Sequence, residues 1–182
     1  MQSALGMVEV NSIPSGIEAG DAMLKAAAVE LVAAQTACAG KYIVIVSGEV
    51  AAVKSSVESG RAIAAETVVD SIIIPSIYTQ VIQAINACTE IKQSGALGII
   101  ETFSLSSAIL AADYAVKTAD VELIEVRLGR GLGGKSFVIL TGAVSAVREA
   151  TEAAEKGEGT EGMIARTVVI PSPHPDILKA IY

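Results

Sequence analysis

The group best placed for chemistry in this chain is a thiol in a tight turn. Thr36-Ala37-Cys38-Ala39-Gly40-Lys41 reads as a connection between two strands, and its counterpart returns later as Leu128-Gly129-Arg130-Gly131-Leu132-Gly133-Gly134-Lys135. Only the first turn carries a cysteine. One thiolate cannot hold a zinc ion or an iron–sulfur cluster, because such sites typically use four ligands. From the residues, two readings stay open. Cys38 is a small buried residue, or three copies of the chain about a threefold axis bring three thiolates together, with the fourth position open or filled from outside.

The second turn contains two nucleotide-binding patterns. Gly129 through Gly134 satisfies G-x-G-x-x-G, and Gly129 through Ser136 satisfies G-x-x-x-x-G-K-S. Both mechanisms need a helix directly after the glycines, so that its first N–H groups and its dipole meet phosphate. Here Phe137-Val138-Ile139-Leu140 follows, which is a strand, as Tyr42–Val46 is after the first turn. The phosphate-loop reading is rejected, and the glycines are expected to let the loop crowd against neighbouring copies.

Other reactive side chains give less. His174 is the single histidine, which excludes a multi-histidine metal site or a Ser/His/Asp triad within one chain, and its Pro171-Ser172-Pro173-His174-Pro175 setting is that of a surface turn. Glu9 and Glu101 occupy matching strand ends, where a repeated carboxylate is ordinarily structural. Lys25 and Lys117 match on the first helix of each half, which by itself describes a solvated helix face. Cys88 has no repeat partner and reads as a plain small residue.

The scaffold that must position these groups is built from small aliphatic residues. Of 182 residues, 52% are hydrophobic and 3% aromatic, so Ala, Val, Ile and Leu must form the core, with apolar surface left over for partners. The net charge of −7 argues against general nucleic-acid binding, which needs clustered Lys and Arg. No apolar run has the roughly 18 residues of a membrane span. Met1-Gln2-Ser3 leads almost directly into a strand, and the expected location is cytoplasmic. Two cysteines in a reducing compartment do not argue for a disulfide.

In order, the expected elements are a strand at Ala4–Val10, a helix from Ile17 to Ala28 capped by Ser12 or Ser15, and a strand at Val29–Ala34. A strand at Tyr42–Val46 follows, then a helix with Val50, Val53 and Val57 on one face and Gly60 as its stop. A strand at Thr67–Ile74, ended by Pro75, precedes a closing helix at Ile77–Ala87 and a polar linker at 89–95. The order then restarts. Ala4-Leu5-Gly6 returns as Ala96-Leu97-Gly98, Asp21 and Lys25 as Asp113 and Lys117, all at an offset of 92 residues. Beyond the turn, Gly40-Lys41 matches Gly134-Lys135 at an offset of 94, and Ile74-Pro75-Ser76 matches Ile170-Pro171-Ser172 at 96. The insertions fall in loops while helices and strands keep register, which marks a tandem duplication with domains at 1–92 and 93–182. Each half reads β-α-β-β-α-β plus a short helix, an α+β, ferredoxin-like plan.

These residues resemble a known family. The strings at Ala4–Glu9, Gly20–Lys25, Gly40–Tyr42, Gly48–Val53 and Ile74–Ser76, doubled in one chain, look like a tandem-domain bacterial microcompartment (BMC) shell protein, most similar to the T-type shell proteins of propanediol-utilisation compartments, whose strand order is likewise unpermuted. The resemblance implies homotrimers that mimic a hexamer, joined edge to edge with other shell proteins into the shell of a bacterial organelle. It implies that Lys25 and Lys117 lie at tile edges rather than on a solvated face. The family often has Arg where this chain has Ser76 and Ser172, so edge contacts are expected to differ. It further implies that Thr36–Gly40 and Gly129–Gly134, Arg130 included, surround a central pore, and that Cys38 is one of three ligands of a single [4Fe–4S] cluster per trimer. Electrons would then cross the shell, to an encapsulated redox enzyme as the partner, and the protein would be no enzyme. Two alternatives are a metal-free tile whose pore conducts polar metabolites and a soluble ferredoxin-like trimer that binds an effector between subunits.

Overall fold

The computed structural model describes residues 3–91 and 95–181. Met1, Gln2, the expected boundary between 92 and 93 and the middle of the expected linker lie outside the described residues. The chain divides into two compact units, the first running through Thr79 and adding Arg130–Gly134, the second comprising Gln80–Gly129 and the chain from Lys135.

In the first unit the order is β1 (Ser3–Val10), α1 (Ile13–Ala26), β2 (Glu30–Ala37), β3 (Lys41–Gly48), α2 (Val50–Ala64) and β4 (Val68–Ile77). The sheet is fully antiparallel in the order β2-β3-β1-β4, the ferredoxin-like arrangement that βαββαβ produces when both crossover helices cover one face. Strand alternation sends Ala4, Val8 and Val10 toward the helices, where they meet Ala19, Met23, Val53 and Val57 in one core. Gly6 lies in the same row, because a Cβ there would come within 2.5 Å of Val57.

Four sequence expectations change here. Helix α1 starts at Ile13, since Ser12 is the cap and accepts the Ser15 N–H, with Pro14 in the first turn. Its buried face is Gly16, Ala19, Gly20 and Met23, while Ile17 and Leu24 are exposed. Gly60 does not stop α2; it is buried in mid-helix where a Cβ would strike Met23. Strand β4 passes through Pro75, because β4 is an edge strand bonded only to β1 and the missing N–H has no ladder partner to lose.

The second unit repeats the plan as β5 (Ala96–Thr102), α4 (Leu105–Thr118), β6 (Val121–Leu128), β7 (Ser136–Gly142), α5 (Val144–Lys156) and β8 (Ile164–Ile170), with sheet order β6-β7-β5-β8. The register is conserved: Ala4 faces Gly48 as Ala96 faces Gly142. Ser104 caps α4 through the Ser107 N–H, the position of Ser12 in the first half. A helix α3 (Thr79–Ile85) groups with this unit from Gln80 onward. It and the segment after it serve the bulge in β6 at Leu123–Glu125: Gln80 Oε1 in the helix accepts the Leu123 N–H at 3.3 Å, and Thr89 Oγ1 beyond it donates to the Ile124 carbonyl at 2.9 Å. The last helix, α6 (Pro175–Ile181), lays Leu178 and Ile181 against Leu97, Ile124 and Ile139, on the sheet face away from α4 and α5.

Candidate functional site

Strand β2 carries Thr36 and Ala37 as its last residues, so the turn proper is Cys38-Ala39-Gly40, closed by the pairing of Ala37 with Lys41. Three residues suffice to reverse the chain because Ala39 and Gly40 take positive φ, 63° and 72°. The thiol of Cys38 therefore leaves the sheet at its end, half-buried. A buried small-residue role does not describe it.

What partly covers the thiol is the second glycine-rich turn, whose Arg130–Gly134 segment belongs to the first unit. Gly129, Gly131, Gly133 and Gly134 all have positive φ, backbone that glycine adopts readily, and the N–H groups of residues 131–134 act on the thiol. The Leu132 N–H donates to Cys38 Sγ at 3.2 Å. That bond is the main reason the thiol is held below its ordinary pKa; desolvation opposes it, and the N–H groups of Gly134, Gly133 and Gly131 add to it. A larger thiolate fraction at neutral pH is what a metal–sulfur site requires. Gln35, on β2, accepts a short hydrogen bond from the Arg130 guanidinium.

A strand follows the glycines, β7 from Ser136, so no helix N-terminus meets a phosphate there and the nucleotide patterns fail as the sequence indicated. The bases of the two turns carry matching ion pairs. Lys41 binds Glu9 at 2.8 Å and Lys135 binds Glu101 at 3.1 Å, which gives the repeated carboxylates their structural role. Lys25 and Lys117, in the last turns of α1 and α4, pair with Asp21 and Asp113 four residues back; Lys25 is the more exposed. His174 and Cys88 are remote in chemistry from the turn: His174 accepts the Asp176 N–H and Cys88 donates to the Asn86 carbonyl.

Among the described residues, no group of three or more His, Cys, Asp or Glu side chains could hold a metal ion. One chain thus offers a single activated thiol. Sequence reading found Cys38, Arg130 and the glycines but not Gln35, an ordinary polar residue whose partner lies 95 positions away, nor the backbone donor at Leu132.

The BMC domain family matches residues 4–77 and 96–173 of this chain. The bacterial microcompartment shell protein PduT of Citrobacter freundii is 40% identical over 179 residues, covering 98% of this chain and 97% of its own length. The shell protein PduA of the same organism is 43% identical over 90 residues, 49% of this chain but 94% of PduA, as a duplication would give. A microcompartments protein from Desulfitobacterium hafniense DCB has a crystal structure that matches with a TM-score of 0.94 and 53% identity, covering 99% of both chains.

Proposed function

The chain belongs to the bacterial microcompartment shell protein family, with two BMC domains in tandem, and from that premise we propose that three copies close into a ring that gathers three Cys38 thiols at its centre to hold one [4Fe–4S] cluster. It is a structural component of a microcompartment shell rather than an enzyme.

The ring is supported by an exchange of exposure between the halves. On α1, Ile13, Ile17 and Leu24 are exposed at 39, 57 and 41%, while their counterparts Leu105, Ile109 and Val116 on α4 are buried. The sheets show the reverse. Met7, Glu9, Ile43 and Ile45, on the face away from the helices, are buried in the first half. Their counterparts Ile99, Glu101, Phe137 and Ile139 line an open hollow of about 340 Å³ with Arg166 and Val168. Each chain therefore has one exposed helix stripe and one sheet face only partly covered, by α6, whose counterparts in the other half are buried. Joining stripe to face between copies is a head-to-tail contact, which closes into a ring when the rotation permits. With two similar domains per chain, three chains give the sixfold-like ring.

The observation that carries the cluster reading is the hydrogen-bonded, acidified thiol of Cys38. The residues fit one corner of such a site: a half-exposed thiol with a backbone N–H donor to sulfur. Three Cys38 side chains would be the protein ligands. When bound, the group would supply one-electron transfer through the shell, to a redox enzyme inside. The chain's own residues hold the sulfur at the turn, shield it with the glycine loop and favour its ionised form.

Protein purified without oxygen is expected to carry iron and sulfide in a ratio of one cluster to three chains and to give a cluster EPR signal on reduction. Cys38→Ser should lose the iron and the signal while light scattering still reports a trimer. Full iron in Cys38→Ser would remove this residue from the site. A wild-type trimer free of iron would leave a tile with a metal-free pore.

A further inference from the structure

The glycine loop over Cys38 has four residues at positive φ, and added Cβ atoms at Gly131, Gly133 or Gly134 would meet nothing within 4 Å. Packing does not fix such a segment, yet it delivers the Leu132 N–H to sulfur at 3.2 Å. The hydrogen bond from Arg130 to Gln35 spans the same gap two residues earlier in the loop and three residues earlier on β2. Gln35 is well suited to anchor it, because its backbone is paired with Ile43 on the central strand β3. The guanidinium fork is planar and directional, so one bond to an amide oxygen carried on a paired strand restrains the loop's approach.

We propose that Gln35 and Arg130 form a clamp that holds the Leu132 N–H on the Cys38 sulfur and thereby sets the reduction potential of a cluster ligated there. The inference rests on the cluster reading above for its redox half and on the geometry alone for the clamp. Hydrogen bonds to ligand sulfurs offset the added negative charge of the reduced state and so raise the potential. Both residues are positioning residues: neither is proposed as a ligand. Arg130 also brings a positive charge, and a test must separate charge from clamping.

Two measurements do so. The first uses the metal-free trimer and follows hydrogen exchange at the Leu132 amide. Gln35→Leu and Cys38→Ala are each expected to speed exchange about tenfold, and unchanged protection in Gln35→Leu would overturn the clamp. The second titrates anaerobic, cluster-loaded protein. Gln35→Leu, with the positive charge retained, and Arg130→Lys, with the charge retained but not the fork, should both shift the one-electron equilibrium toward the oxidised form about tenfold, some 59 mV. If only Arg130→Gln lowers the potential, the residue acts as a charge and the clamp is wrong. If wild-type protein binds no iron, the cluster reading and the redox half fall together, and the exchange experiment still decides the clamp.

Discussion

Helices α1 and α4 are the same helix used twice, with a serine cap, an Asp–Lys pair in the last two turns and one face on a four-stranded sheet. Their interiors nevertheless differ by compensated exchanges of size. Gly16 admits Tyr42, where an added Cβ would lie 2.6 Å from the tyrosine Cβ, and the second half has Ala108 and Ser136, both buried, in those places. Gly60 admits Met23, and the second half has Ala154 and Ala115 in those places. Duplicated cores drift in pairs, since close packing penalises a change of volume on one side alone. The exteriors drift differently. A stripe that is buried in one half and exposed in the other stays apolar in both.

The sharpest way to break this comparison is to place the same carboxylate on both stripes. Ile109→Asp buries an unpaired charge and should cost roughly 4 kcal/mol or more, leaving little folded protein in a denaturant titration. Ile17→Asp should leave the fold intact but weaken association about 100-fold or more, read as monomer by light scattering. A trimer that survives Ile17→Asp would place the subunit contact elsewhere. Next in size is the repeated ion pair. Glu9→Gln strands Lys41 beside a carboxamide that is 2% exposed and should cost about 2–4 kcal/mol, whereas Glu101→Gln, at a carboxylate 41% exposed, should cost under about 1 kcal/mol in the Ile17→Asp monomer. In the ring as proposed the two costs should converge, because a neighbour would then cover Glu101. Smallest is the packing exchange. Gly16→Ala is expected to cost about 1–3 kcal/mol, and next to nothing in a Tyr42→Ser background, as a double-mutant cycle would read it.

The repeat was legible because strands and helices cannot absorb insertions, so the offset changed only at loops and Cys38 was framed by matching flanks. Helix and strand types followed from periodicity for the same reason. What failed depended on topology. Ile17 and Leu24 have the spacing of a core stripe, and nothing local says that α1 turns a different face to its own sheet. Pro75 and Gly60 look like stops until one knows that β4 is an edge and that Met23 needs the room. The turn's chemistry was half visible: side chains that react can be read from their letters, but a main-chain donor at Leu132 has no letter of its own.

Pro75, exposed in β4, has a consequence for a structural component of a shell. An open β-edge offers a row of donors and acceptors to any extended strand, and a crowded sheet of subunits brings many such rows together. A ring nitrogen in the middle of that row removes one donor and breaks the ladder's repeat. In the ring and shell proposed above, subunits could then lie flank to flank by their side chains without zipping into fibres.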